Sequence, residues 1–243
     1  MKLLIDAGNT RLKWQLHEQG RIVQEGACLF DSIEWPEELV CYASRVSRIA
    51  VSTVASEAGR DRLVESLGKI SGAPVTFYWP EAMRGGLINS YADFSKMGAD
   101  RWHAMYGAWS QKRAGFAVID AGSAITVDYV ANDGLHLGGY ILPGKQMMLR
   151  SLSQDAARIG FEVSDVLSGG PGTSTSECVH HGVAWLWEGL VQRLSCDLRC
   201  YGLDRTLCTG GDANALLRAG LPGEHQADLV LCGLNAIDSE SAG

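Results

Sequence analysis

Several things are scarce in this 243-residue sequence, and each scarcity removes a class of protein. Proline occurs 6 times, and no tract is of low complexity, which sets aside collagen-like and linker-like chains. No stretch approaches the roughly 18 apolar residues of a membrane span. The opening Met1-Lys2-Leu3-Leu4-Ile5 reaches Asp6 after three apolar residues, short of the roughly 7 to 15 in a secretory signal. Basic residues are in deficit, 21 Lys and Arg against 28 Asp and Glu, with no basic run. A net charge of -7 forgoes the electrostatic attraction on which nucleic-acid binders rely, so neither nucleic acid nor membrane is expected as a partner. The seven cysteines are odd in number and form no Cys-x-x-Cys pair; they read as reduced thiols in a cytoplasmic protein. Cys178, His180 and His181 lack the second cluster a zinc site needs and read as a helix face. What remains is a globular chain, 46% hydrophobic and 20% charged, of one large or two small domains.

Glycine is plentiful instead, 29 residues against an average of roughly 7%. Leu3-Leu4-Ile5 predicts a short buried strand, Asp6-Ala7-Gly8-Asn9-Thr10 a turn, and Leu12, Trp14 and Leu16, alternating with Arg11, Lys13 and Gln15, a second strand with one buried face. Strand signals near Ile22, Ala27, Ile49–Ser52 and Val75–Tyr78 alternate with a helix over Ser56–Leu67, which points to α/β. Gly85, Gly86, Asn89 and Tyr91 mark a loop, and a helix runs from near Gly98 to about Lys112. Then the opening pattern returns. Ala117-Val118-Ile119-Asp120-Ala121-Gly122-Ser123-Ala124, followed by alternating Ile125, Val127 and Tyr129, repeats the first hairpin, with the two aspartates 120 − 6 = 114 residues apart. A repeat of this span implies a duplicated domain, with units 1–114 and 115–243. A glycine-rich strand follows at Leu137–Gly144. A long helix spans about Thr175–Leu198 behind a Ser174/Glu177 capping box, and Leu207–Asp212 ends a strand in a glycine turn. Trp102 with Trp109, and Trp185 with Leu186 and Leu190, sit at helical spacing and are expected in the core. Residues 239–243 are expected to fray.

A strand-end Asp followed by Gly and a hydroxyl residue has a definite use. Glycine lets the turn backbone approach a phosphate, and hydroxyls and N–H groups donate to it. The carboxylate needs a cation between itself and the phosphate, typically Mg²⁺. Standing alone, Asp-x-Gly is more often a plain turn; two copies in register with a duplication, plus the later Thr209-Gly210-Gly211 turn, point to nucleotide-dependent phosphoryl chemistry in a cleft. Asp100 suits an acceptor-side carboxylate, although a helix start stabilises any carboxylate. Arg101 suits bidentate capture of a substrate carboxylate.

Taken together, these motifs resemble the type III pantothenate kinases, of the acetate and sugar kinase, heat-shock ATPase and actin superfamily. Asp6–Thr10, Asp120–Thr126 and Thr209–Gly211 are similar to that superfamily's phosphate motifs. Gly98-Ala99-Asp100-Arg101, Asn89-x-Tyr91 and Gly138-Gly139-Tyr140-Ile141-x-Pro143-Gly144 are more specific to this branch. Ser123 stands where Thr is usual, and Met97 where Leu is usual. The resemblance implies two duplicated ribonuclease-H-like (actin-like ATPase) lobes around a nucleotide cleft. The activity it implies is transfer of the ATP γ-phosphate to pantothenate, giving 4′-phosphopantothenate, the first step toward coenzyme A.

By the same resemblance, Asp100 is the catalytic base or hydroxyl-orienting group, and Tyr91, Gly98, Ala99, Asp100 and Arg101 hold pantothenate. Thr175, rather than Thr173, reaches the pantothenate pocket of the other subunit of a homodimer. Asp6 organises Mg²⁺; Asp6, Ala7, Gly8, Asn9, Thr10, Arg11, Leu12, Lys13, Gly122, Ser123, Thr126, Gly210 and Gly211 surround ATP and its phosphates. Asp120 is a ligand of a monovalent cation, K⁺ or NH₄⁺. Two other readings stay open: a non-catalytic transcriptional accessory factor of the same family, and another small-molecule kinase of the superfamily.

Overall fold

The computed structural model describes residues 1–155, 160–161 and 170–241. Its first 113 residues supply β1 (Lys2–Ala7), β2 (Arg11–Glu18), β3 (Arg21–Leu29), α1 (Glu37–Tyr42), β4 (Arg48–Thr53), α2 (Glu57–Gly68), β5 (Val75–Phe77), the short β6 (Met83–Arg84) and β7 (Leu87–Ile88), and α3 (Ala99–Gln111). Then come β8 (Phe116–Ala121), β9 (Ala124–Val130), β10 (His136–Pro143), α4 (Lys145–Asp155), α5 (Thr175–Tyr201), β11 (Arg205–Thr209), α6 (Ala213–Arg218), β12 (Glu224–His225) and α7 (Leu229–Ser241).

The duplication inferred from the repeated Asp-Ala-Gly is explicit in the sheets. One has the order β3-β2-β1-β4-β5 and the other β10-β9-β8-β11-β12, so each position in one is matched by the same position in the other. In both, the first strand pairs antiparallel with the second through the glycine turn and parallel with the fourth. This is the duplicated α/β architecture that the sequence implied.

Strand alternation explains how the first sheet is covered. Leu3, Ile5, Ala7, Ile49 and Val51 face a core shared with Leu12, Trp14, Leu16 and the α2 residues Leu63 and Leu67. Ser56 caps α2, its side chain accepting from the Gly59 N–H at 3.2 Å. The opposite face carries Lys2, Leu4 and Asp6 beside their register partners Arg48, Ala50 and Ser52. Leu231 and Leu234 of α7 pack on Leu4 and Ala50. At the far end Asp238 accepts from Lys2 Nζ and Arg48 at 2.8 Å each. The hairpin is therefore buried on both faces rather than one. Gln15 and His17 lie under this layer, 3.1 Å apart and hydrogen-bonded. Burial, with the nearby Lys2 charge, lowers the pKa of His17.

Residues 1–113, 133–136 and 228 onward form one compact unit, and 114–132 with 137–227 the other. The sequence reading carried the second unit through to residue 243; α7 instead packs on α3, β4 and β1, because its Leu-Leu-Asp stripe complements the apolar and basic positions of that sheet face. The α3–α7 contact is close. A β-carbon on Gly107 would meet the Leu229 carbonyl at 2.5 Å, and one on Gly233 would overlap the His103 carbonyl. Ser239–Ser241 are helical rather than frayed, with Glu240 accepting from the Tyr106 hydroxyl at 2.6 Å and from Arg84 at 3.0 Å. Residues 242 and 243 lie outside the described residues. Gly85 and Gly86, read as loop, turn a hairpin of two-residue strands at φ 55° and 90°.

The second unit buries one face of β8 and β9 against α5, with Ile119, Ile125, Val127, Val183, Trp187 and Leu194 in its core. The Ser174/Glu177 capping box is present. Trp102 and Trp109 are buried as expected, but Trp185 and Leu186 are 67% and 51% exposed. Helical spacing places residues on a face without saying which face the core takes, and the core takes the stripe of Val183, Trp187 and Leu194. Among the described residues, no helix is long and apolar enough to cross a membrane.

Candidate active site

In the first hairpin the Gly8 N–H donates to the Arg11 carbonyl at 3.0 Å. Asn9, Thr10 and Arg11 are exposed at the turn, while Ala7 and Leu12 are buried and have only main chain to offer there. Asp6 pairs with Lys13 across the strands, so carboxylate and ammonium share one face at the mouth of the turn. The hairpin is tied to β4: Thr53 Oγ1 donates to the Ala7 carbonyl at 3.1 Å and accepts from Ala55 N at 3.0 Å.

The same unit carries the residues expected on the acceptor side. Gly98 is the N-cap of α3, and Asp100 lies in its first turn. Asp100 Oδ1 accepts the Arg101 N–H at 2.7 Å, which holds the carboxylate against the helix start. A β-carbon on Gly98 would stand 2.5 Å from that same Oδ1, so a larger residue there would push the carboxylate aside, although the φ of -62° suits any residue. Arg101 is 5% exposed and donates to the Tyr91 hydroxyl at 2.7 Å. Tyr91 is placed in turn by its N–H to Asn89 Oδ1 at 3.0 Å. Asn89 Nδ2 donates to the Met97 sulfur at 3.5 Å, a contact that the leucine usual in this position would lack.

Two residues beside these groups escaped sequence reasoning. His136 is fully buried, stacks on Tyr91 with centroids 6.2 Å apart, and lies 3.1 Å from Ser90 Oγ through Nδ1. Only its position beside Leu137-Gly138-Gly139 hinted at it. Lys145, at the start of α4, follows Gly144, whose N–H donates to the Ser123 carbonyl at 3.1 Å. Burial raises the Asp212 pKa, and the Lys145 charge opposes that rise, so a cation stands near the second set of turns.

In the second unit, the turn at Gly122 mirrors that at Gly8: its N–H donates to the Ala124 carbonyl at 3.0 Å. Asp120 pairs with Thr126 across the hairpin, and Ser123 is exposed at its tip. Gly210 has φ 90°, and a β-carbon there would come within 2.5 Å of Asp120 Oδ1 and the Ala121 carbonyl. The Asp212 N–H closes this turn onto the Ala121 carbonyl at 2.9 Å. Asp120, Gly122, Ser123, Thr126, Gly210 and Gly211 thus belong to adjoining turns at the ends of paired strands. Thr175 is exposed at the first position of α5; Glu177 engages the Thr173 hydroxyl at 2.8 Å and leaves that of Thr175 outside the network.

The sequence profile described as type III pantothenate kinase matches residues 2–196. The chain belongs to the type III pantothenate kinase family. A type III pantothenate kinase of Marinobacter nauticus is 55% identical over 239 residues, 98% of each chain. One from Hahella chejuensis is 37% identical, covering 97% of this chain and 96% of its own. Among solved structures, a Campylobacter jejuni protein provisionally described as a Baf family transcriptional activator superposes with TM-score 0.61 at 20% identity, covering 99% and 98% of the two chains. Component A of an Acidaminococcus fermentans (R)-2-hydroxyglutaryl-CoA dehydratase gives 0.53 at 14% identity, covering 100% and 99%. These structural likenesses establish the fold, that of the actin-like ATPases and sugar kinases. As a type III pantothenate kinase the chain is an ATP-dependent transferase acting on pantothenate, at the first step of coenzyme A biosynthesis.

Proposed function

We propose that Asp100 aims the terminal hydroxyl of pantothenate at the γ-phosphate of ATP and accepts its proton as the new bond forms. The observation that carries this is the start of α3, where the Asp100 carboxylate is held by the Arg101 N–H at 2.7 Å in space that Gly98 leaves open. A primary alcohol is far less acidic than a carboxylic acid, so the proton moves late, and positioning dominates in a loose phosphoryl transition state. Arg101 and Tyr91, joined at 2.7 Å, together with the backbone of Gly98 and Ala99, bind pantothenate; the guanidinium suits its carboxylate. Asn9, Thr10, Arg11, Lys13, Ser123 and Thr126 contact ATP phosphates. Ala7, Gly8, Leu12, Gly122, Gly210 and Gly211 contribute main chain to the same task.

Asp6, a hard carboxylate at a phosphate turn, suits Mg²⁺, which favours one or two carboxylates alongside phosphate oxygens. When bound, Mg²⁺ neutralises phosphate charge. Asp120 suits K⁺ or NH₄⁺: its Oδ1 and the Ala121 carbonyl lie close together beside Gly210, where no side chain covers them, an oxygen-rich setting for a weakly hydrated cation.

The enzyme acts as a homodimer in which Thr175 completes the partner's pantothenate pocket. Exposed Tyr140, Ile141, Trp185 and Leu186 support a second copy covering this face. Seven free cysteines support a reducing, cytoplasmic setting, and the net charge of -7 supports a metabolic enzyme over a DNA-binding regulator. The test is a coupled ADP assay with ATP and pantothenate, with and without K⁺, beside Asp100→Asn. Pantothenate-dependent ADP release, stimulated by K⁺ and lost in the variant, is expected; a sugar phosphorylated better than pantothenate overturns the reading.

A further inference from the structure

We propose that the hydrogen bond between Ser52 and His103 fixes where Asp100 stands relative to Asp6, making both residues positioning residues for phosphoryl transfer. Ser52 Oγ and His103 Nδ1 are 2.7 Å apart, and both side chains are fully buried. Ser52 is the register partner of Asp6 on the neighbouring parallel strand, so the two side chains project from the same face of the sheet. Lys13 extends this row on the other side of Asp6. On α3, His103 lies three residues after Asp100 and four before Gly107, so the three share one helical stripe. Gly107 and the His103 carbonyl are the points where α3 is pressed against α7. The helix that carries Asp100 is therefore backed by α7 and tied to the strand beside Asp6 by the Ser52–His103 bond. The next residue of β4, Thr53, holds the Ala7 carbonyl of the phosphate turn at 3.1 Å, so the end of this strand grips both turn and helix.

The histidine is not there as an acid. Burial and the Arg84 charge lower its pKa to about 3, so the ring is neutral at physiological pH. Its Nε2 has no hydrogen-bond partner among the described residues. An unpaired buried nitrogen is a cost that a phenyl ring of similar size would avoid, so what the imidazole contributes is the bond through Nδ1.

The proposal rests on the reading of Asp100 as the orienting carboxylate, and the experiment separates the two. Ser52→Ala, His103→Phe, the double variant, His103→Asn and Asp100→Asn are compared by coupled ADP assay and thermal melting. An ångström of misplacement costs on the order of 100-fold in rate. Each of Ser52→Ala and His103→Phe is therefore expected to lower kcat by about 10- to 100-fold, with the ATP KM held within about two-fold. The double variant falls no further than the worse single one, because both break one bond. His103→Asn, with an amide near the place of Nδ1, recovers most of the loss. If Ser52→Ala melts lower yet turns over normally while folded, or if the two losses multiply, the pair is a structural staple only and the proposal fails. Should His103→Phe not fold, Ser52→Ala alone decides. If Asp100→Asn itself keeps wild-type turnover, the reading of Asp100 fails first; if it is inactive while Ser52→Ala and His103→Phe are not, only the positioning role falls.

Discussion

Gly98 and Asp100 compete for one piece of space: a β-carbon on the first would stand 2.5 Å from Oδ1 of the second. Gly98→Ala therefore swings the carboxylate off the Arg101 N–H while keeping the helix start, whose N-cap φ of -62° any residue adopts. Turnover is expected to fall by about 10- to 100-fold with the melting temperature little changed. Wild-type kcat in Gly98→Ala would count against the fixed position of Asp100.

Asp100→Asn keeps the shape of that side chain and removes its basicity. ATP affinity, measured by calorimetry, is expected to stay near wild type while kcat drops by about 100-fold or more, within the range of general acid–base contributions. Loss of ATP binding instead would move Asp100 to the nucleotide side.

Arg101 is buried and joined to Tyr91 at 2.7 Å. Lysine offers a point charge in place of a planar fork. Arg101→Lys is expected to raise the pantothenate KM by about 10- to 100-fold, the worth of a charge-assisted hydrogen bond, with a smaller rise for Tyr91→Phe. An unchanged KM in Arg101→Lys would rule out carboxylate capture by this residue.

Acid stability follows from His103. Its pKa is lowered from the ordinary 6.5 to about 3 by burial, so between those values the unfolded chain holds a proton that the folded one does not. Stability is then full above about pH 6.5 and declines as pH falls toward 3, by about 1.4 kcal/mol per unit for this one group. His17 shifts in the same direction. Urea melts at pH 7.5, 6 and 5 should show the decline, with a shallower slope in His103→Phe; parallel slopes would deny His103 its share.

Trp185 is 67% exposed, so Trp185→Glu removes apolar surface without opening a core. Light scattering is expected to report a monomer, with pantothenate turnover reduced because Thr175 then has no partner site to complete. A dimer that survives the change places the subunit contact elsewhere.

Much of this was readable before any coordinates. The Asp-Ala-Gly repeat foretold two copies of one fold, and Ser174 with Glu177 marked the start of α5 by capping chemistry. Local residues decide such features. His136, Ser52 and His103 were not readable, because their partners are 46 and 51 residues away and no spacing rule links them. Trp185 and α7 misled for a related reason: periodicity reveals that a helix has an apolar side, whereas charge and shape on a distant strand decide what meets it. For α7 that strand lies at the other end of the chain, where Lys2 takes Asp238.

That pairing bears on how the chain is made. Residues 114–227 are synthesised between the first sheet and the helix that covers it, and they contain a complete second unit. On the ribosome the second unit therefore has all its parts first, while Leu4 and Ala50 stay uncovered until Leu231 and Leu234 emerge. The helix bearing Asp100 receives its backing from residues translated after the whole second unit, so the acceptor side is assembled only once that unit has been made.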